Sequence, residues 1–490
     1  MELISRLRRF AFHYPRIFTV EAPGGTEARL EVERWARVRG WPLAESPADT
    51  DLLVLCGRPT AELTGAIARV QAMLSRPAAT LLIETSQTTS AAGSSISEER
   101  LRVDLAFDRA DLRNGFAEAA RRLVDDAEPV RRAVPEEIDA EEGCADDDHG
   151  GADHGHGGEG DHGGEEHEHG EELDHEEHDH EEHDHGEHDD REHDHGEHDH
   201  DDAPGGLPMA SRGEDRDGLT LDVLHLSLGP VLRGWPAGLT LRLKLQGDVV
   251  QGVELAPRHL AAHRSAASWW NGPWMDALAG ADVSVSQVER RRAAAHLDSL
   301  GRLLYVAGDE GGVSVAARLR DGALAGADAA SLLAGVRDLE RRLRRTRLLD
   351  RYTDGLGRIG QEEGSSLGLG GPALRASGCA EDLRTQCYPD FEALVALGEG
   401  DARSRWHQWL AETKQSLELV SSNHGSVIAV DGMVEGPRGV LAASPDAPAP
   451  SRALIRAICQ TLEGQEFAVA RLIVASFDPD IGELGSEIRR

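Results

Sequence analysis

Three groups of residues in this 490-residue chain have types and spacings that could do chemistry. The first is a histidine run. Sixteen of the 23 histidines fall between His149 and His200, most densely at His175, His178, His180, His183, His185, His188, His193, His195, His198 and His200. Imidazole suits zinc, copper and nickel, and the interleaved carboxylates draw cations in. The spacing imposes no coordination geometry, so the expectation is several weak, interchangeable sites for a divalent metal such as nickel or zinc, with a solvated spacer as the plainer reading. The second group is Glu289, Arg292 and His296 in "ERRRAAAHLDSLG". Offsets of three and seven put all three on one face of a helix, either as an exposed salt-bridge stripe or as a paired buried set. The third is the five cysteines, Cys56, Cys144, Cys379, Cys387 and Cys459. They are scattered, with no Cys-x-x-Cys, which reads as a reduced protein without structural disulfides.

The elements that must position these groups fall into three segments, a multidomain arrangement. Residues 1–130 alternate strand and helix patterns. "DLLVLC" and "ATLLIET" are short, fully apolar runs on either side of the helical "TAELTGAIARVQAML", which predicts a small parallel-sheet α/β domain. Residues 131–212 are Asp, Glu, Gly and His with too few apolar groups to offset the entropy of folding, a disordered linker by composition. Between Glu136 and Asp202 there are 32 acidic residues against Arg191 alone, leaving 56 acidic and 51 basic residues elsewhere. Nearly all of the net charge of -36 therefore belongs to the linker, and nucleic acid is an unsuitable partner. Residues 213–490 open with a hairpin pattern over Leu239 to Leu255 and continue with helical patterns over Val288 to Ala307, Ala329 to Tyr352 and Ala402 to Val420, an α+β, mainly helical domain. No run of 18 apolar residues occurs, which predicts a cytoplasmic chain that does not span a membrane by itself.

One string is far more specific. "GLGGPALRASGCAEDLR", Gly368 to Arg384, resembles the large subunit of respiratory complex I that borders the quinone site, and the large subunits of energy-converting nickel-iron hydrogenases. Gly371, Pro372, Leu374, Arg375, Ala376, Ser377, Gly378, Asp382, Leu383 and Arg384 stand at the family's positions. "PRHLAAHR" (Pro257, His263, Arg264), the Glu289, Arg292 and His296 helix, "VEGPRG" with Arg438, "PSRALIR" and "IVASFDPDIGE" follow the family's order. The resemblance covers about 213–490. "ADTDLLVLCGRPT" in the first segment resembles, more loosely, the small cluster-bearing partner subunit, so the two segments would dock on each other within one chain.

The resemblance implies an NADH- or quinone-linked oxidoreductase assembly, with other subunits as partners and attachment to the inner face of a membrane through them. Departures from the family fall on its chemistry. One cysteine in residues 1–130 cannot build an iron-sulfur cluster. Asp480 and Glu483 stand where hydrogenases carry the closing cysteine pair, which implies that no nickel-iron centre forms. The quinone-loop stretch "GPVLRGWPAGLTLRL" lacks histidine. The leading expectation is thus a fused, catalytically reduced subunit, with Glu289, Arg292, His296, His263, Arg264, Arg375, Asp382, Arg384 and Arg438 as a structural and interface network and no assigned catalytic residue. The alternatives are an active electron-transfer or quinone-binding subunit whose ligands come from other chains, and a nickel- or zinc-binding accessory protein working through the linker.

Overall fold

The computed structural model describes residues 10, 12–22, 24–84, 105–108, 112–125, 212–214, 220–256, 268–388, 391–423, 425–444 and 447–484. The histidine run, His263 and Arg264 lie outside these described residues.

Near the amino terminus four strands, β1 (Ile17–Glu21), β2 (Leu52–Cys56), β3 (Ala79–Glu84) and β4 (Leu105–Asp108), form a sheet in the order β1-β2-β3-β4. Every pairing is parallel, with Leu52 opposite Ile17 and Ala79. Helices α1 (Thr26–Arg39), α2 (Ala61–Ala72) and α3 (Leu112–Asp125) complete this part. All five residues of β2 are buried because both faces of the sheet are covered. Leu52, Val54 and Cys56 pack with Val32 and Phe116, while Leu53 and Leu55 pack with Leu63 and Ile67.

The second part begins with an antiparallel sheet of β5 (Arg212–Glu214), β6 (Thr220–Leu228), β7 (Leu241–Gln246) and β8 (Val249–Leu255). In β7 the leucines at 241, 243 and 245 are buried while Arg242 and Lys244 are exposed, the period-two pattern of a half-covered sheet. Helices follow: α4 (Gly272–Leu278), α5 (Val285–Val306), α6 (Glu310–Leu324), α7 (Ala329–Thr346), α8 (Leu348–Thr353), α9 (Gln361–Leu367), α10 (Gly371–Arg375), α11 (Arg384–Cys387) and α12 (Ala402–Ser422). A two-stranded ribbon, β9 (Met433–Glu435) and β10 (Val440–Ala442), then leads to α13 (Pro450–Leu462) and α14 (Phe467–Phe477).

Side-chain caps fix where the long helices start. Ser284, Asp309, Asp328 and Asp401 accept from the backbone N–H three residues on and open α5, α6, α7 and α12. The single helix expected over Ala329 to Tyr352 is in fact two, because Arg347 takes a left-handed conformation (φ 52°) and ends α7. Helices α5 and α12 pack through Leu297, Leu300, Leu304, Trp406, Leu410 and Leu417, forming the core in which the polar groups described next are set.

Candidate functional site

Side chains from α5, α10, α11, α12 and β9 meet in a buried ionic cluster. Glu289, Arg292 and His296, all within 2% of full burial, contribute the α5 face. Arg292 donates to Glu289 Oε2 (3.2 Å) and, through Nη1, to the carbonyl of Gly436 (2.9 Å), and it also reaches the Glu435 carbonyl. The hydroxyls of Tyr388 (2.8 Å) and Ser416 (2.6 Å) donate to the other sides of the Glu289 carboxylate. Burial opposes the charge on Glu289, but Arg292, Arg384 and these hydroxyls outweigh it and hold the carboxyl below its usual range.

Arg375 is the hub. Its Nε donates to Glu412 Oε1 (2.8 Å), Nη2 to Glu435 Oε1 (2.6 Å) and Nη1 to the Glu381 carbonyl (3.1 Å), with Asp382 Oδ2 at 3.3 Å. Arg384 clamps Asp382 through Nε (2.9 Å) and Nη2 (2.6 Å). Glu412, fully buried, is held well below the carboxylate range because Arg375 and Arg384 overcome its desolvation. His296 Nε2 stands 3.5 Å from Glu412 Oε2, a stretched contact that leaves neither atom a well-formed hydrogen bond. Burial pulls His296 below the usual imidazole range, only partly offset by Glu412. The cluster therefore holds four carboxylates and three guanidiniums around a neutral imidazole. Every charge is paired, which is what makes such burial tolerable.

Of the residues expected from the sequence, Glu289, Arg292, His296, Arg375, Asp382 and Arg384 meet here. Glu412, Glu435, Tyr388 and Ser416 join them without having been expected. Arg438 belongs elsewhere: its Nε donates to the Asp478 carbonyl (2.7 Å) and its Nη2 to Asp478 Oδ2 (2.9 Å).

A second network joins the two folded parts. Arg29 of α1 donates to Glu21 (2.6 Å), Glu33 (2.8 Å) and Asp298 Oδ2 of α5 (2.9 Å). Arg320 of α6 bridges Glu33 (2.9 Å) and Asp298 Oδ1 (2.7 Å), and Arg37 pairs with Asp321. Arg302 carries the network on to Asp298 (3.1 Å) and Asp478 (2.9 Å).

In the closing stretch, the acidic side chains are held by hydrogen bonds. Asp480 Oδ2 accepts from Ser268 (2.6 Å), while Glu483 accepts from Asn271 (2.9 Å) and from the backbone and hydroxyl of Ser451 (2.9 and 2.5 Å). Burial and then Asp480 push Glu483 above the usual carboxylate range. In the first part, Cys56 lies buried in β2, its thiol pushed up by burial, and the Ala22–Gly25 turn packs on its carbonyl, which accepts from Ala22 N at 2.9 Å. Among the described residues, no group of three or more His, Cys, Asp or Glu is arranged to hold a metal ion.

Comparison with known proteins agrees with the motifs of the helical part. Residues 302–474 match the family described as the 49 kDa subunit of respiratory-chain NADH dehydrogenase. An NAD(P)H-quinone oxidoreductase subunit of Thermosynechococcus vestitus is 35% identical over 107 residues, 21% of this chain and 26% of its own length. An NADH-quinone oxidoreductase subunit of Rhizobium etli is 35% identical over 107 residues, 21% of this chain and 25% of its own length. A chloroplastic NAD(P)H-quinone oxidoreductase subunit of Pelargonium hortorum is 34% identical over 110 residues, 21% of this chain and again 26% of its own length. The chain thus spans about a quarter of the length of the curated relatives it matches. Among solved structures, a chain of the membrane-bound sulfane sulfur reductase, an archaeal respiratory membrane complex, aligns with a TM-score of 0.39 at 20% identity, covering 54% of this chain and 98% of its own. Over residues 302–474, this chain is thus similar to the large-subunit family of complex I.

Proposed function

We propose that this chain is a subunit of a complex I-like or hydrogenase-like oxidoreductase assembly, in which small- and large-subunit-like parts are fused and the large-subunit scaffold serves without redox ligands of its own. The observation that carries this reading is the closing Asp478–Glu483 stretch. Its Asp480 and Glu483 side chains are engaged by Ser268, Asn271 and Ser451 instead of presenting a thiolate pair. A scaffold of this kind needs its charged interior for shape, and fold does not carry function where the site is missing. No helix among the described residues is long and apolar enough to cross a membrane, so attachment there would run through partner subunits. The histidines of 149–200 would add weak divalent-metal sites beside the scaffold.

Iron and acid-labile sulfide analysis after anaerobic reconstitution tests the proposal. The expected result is substoichiometric iron and no cluster absorbance. Stoichiometric iron and sulfide that survive desalting would sink it and favour an active electron-transfer subunit.

A further inference from the structure

The end of α7 and the short α8 carry seven arginines between Arg337 and Tyr352, against three carboxylates. The carboxylates here and just beyond are already taken. Asp338 pairs with Arg341, Glu340 with Arg344 (2.7 Å) and Lys414 (2.8 Å), and Asp354 with Arg403 (2.7 Å), while Asp350 meets His407 (2.9 Å). Arg337 and Arg342 find partners on other elements, Glu418 (3.2 Å) and Asp309 (2.6 Å). Three arginines are left over. Arg345, Arg347 and Arg351 are all exposed and, among the described residues, have no carboxylate oxygen within 4.0 Å.

Two of the three share a helix face with exposed apolar groups. Arg347, Leu348, Arg351 and Tyr352 stand at i, i+1, i+4 and i+5, one side of α8, while Leu349 and Thr353 turn inward and are buried. Leu348 is 50% exposed and Tyr352 49%. Arg345 adds its charge from the adjoining last turn of α7. Arg347 holds the left-handed conformation that separates the two helices, a backbone shape that glycine adopts without strain. An arginine at that position serves its charge and not its backbone.

Leucine and tyrosine set among unpaired guanidiniums match the boundary of an anionic bilayer, where phosphates take the arginines and the apolar groups enter at headgroup depth. The α8 backbone is paired within its helix and offers no strand edge to an extended acidic peptide. Screening over ~8 Å at physiological salt lets this local excess, and not the net charge of -36, decide the contact. We propose that the face of Arg345, Arg347, Leu348, Arg351 and Tyr352 binds the surface of an anionic lipid bilayer directly. No helix among the described residues crosses a membrane, so the contact is peripheral. It adds to any attachment through partner subunits and does not depend on the oxidoreductase reading.

The test sediments the full chain with vesicles of phosphatidylglycerol and phosphatidylcholine in equal parts. EDTA is present so that metal on the histidine run does not bridge to lipid. The expected result is binding that weakens as salt is raised and is absent with phosphatidylcholine alone. Arg345→Gln, Arg347→Gly and Arg351→Gln combined should weaken it about a hundredfold, at roughly fivefold per arginine. Arg337→Gln, Arg341→Gln and Arg358→Gln combined change the net charge equally but take arginines paired with Glu418, Asp338 and Glu399, and should bind within about threefold of the parent. Leu348→Ser with Tyr352→Ser should weaken binding at unchanged charge. All of these side chains are exposed, so each variant should keep the parent Tm and its binding reports on the face itself. No binding by the parent, equal weakening in the two arginine triples, or binding indifferent to the loss of Leu348 and Tyr352 would each overturn the proposal. So would retention of poly-glutamate in place of vesicles, which would assign the face to an acidic protein.

Discussion

Glu289 and Arg292 face each other at 3.2 Å with side-chain exposures of 0% and 1%, so neither has solvent to replace a lost partner. Removing one of them leaves a buried unpaired charge, at a cost of about 3–5 kcal/mol. Glu289→Gln and Arg292→Met should each destabilise the chain by that order, and the double variant by less than the sum, as thermal unfolding of all three against the parent would show. Single changes within about 0.5 kcal/mol of the parent would mean that the pair contributes no more than an exposed one. Offsets of three and seven were enough to place Glu289, Arg292 and His296 on one face. The partners that neutralise them were not legible. Glu412 sits among Ala, Thr, Lys and Gln on α12 with no local contrast, and Glu435 reaches Arg375 from a three-residue strand 60 residues on. Tyr388 and Ser416 meet Glu289 only through the fold, at separations of 99 and 127 residues.

At the level of elements, the glycines of the Gly368–Arg384 string have a steric reason to be there. Gly371 has φ +58°, and a Cβ on it would meet the Gly439 backbone at 2.9 Å, so two glycine-bearing turns touch main chain to main chain. The break between α7 and α8 left no trace in the sequence, because arginine in a left-handed conformation carries no signal of it. Short β1 and β4 gave no clear signal either. A three-way joint of α1, α5 and α6 holds the two folded parts together, and Asp298 is its shared acceptor. Three guanidiniums overcome its desolvation and keep Asp298 ionised far below the carboxylate range. Replacing Arg29 by Met would leave Glu21 and Glu33 short of a partner, and the expected loss is again about 3–5 kcal/mol. Hydrogen exchange should locate the loss, with protection falling first in β1, α1 and β2. Uniform loss across both parts would mean that the joint is not where they separate.

For the molecule as a whole, the depressed His296 and the raised Glu483 act in opposite directions with pH. Unfolded histidine takes up a proton near pH 6.5, whereas folded His296 resists it. Its contribution is therefore present at neutral pH and is lost as pH falls from about 6.5 toward its lower folded value. Glu483 favours the folded state at acid pH, and that advantage fades as pH rises from about 4.3 through its elevated folded value. A pH series of Tm should show a shallower acid decline for His296→Gln than for the parent, and identical slopes would mean that the imidazole is not held neutral. The small parallel sheet and the likeness of the helical part to the complex I large subunit were legible because strand runs and glycine-rich strings are local signals. Docking of the first part on the last was expected, but the residues that make the joint were not legible, since they lie as far apart as Arg29 and Asp298. One helix links everything described: α5 carries Glu289, Arg292 and His296 into one network and Asp298, Ser299 and Arg302 into the other. In genetic terms, such a helix cannot drift one letter at a time. Tolerated variants should come as matched changes on two or three distant segments, and suppressors of a lesion in α5 should map to α1, α12 or the Asp478 turn.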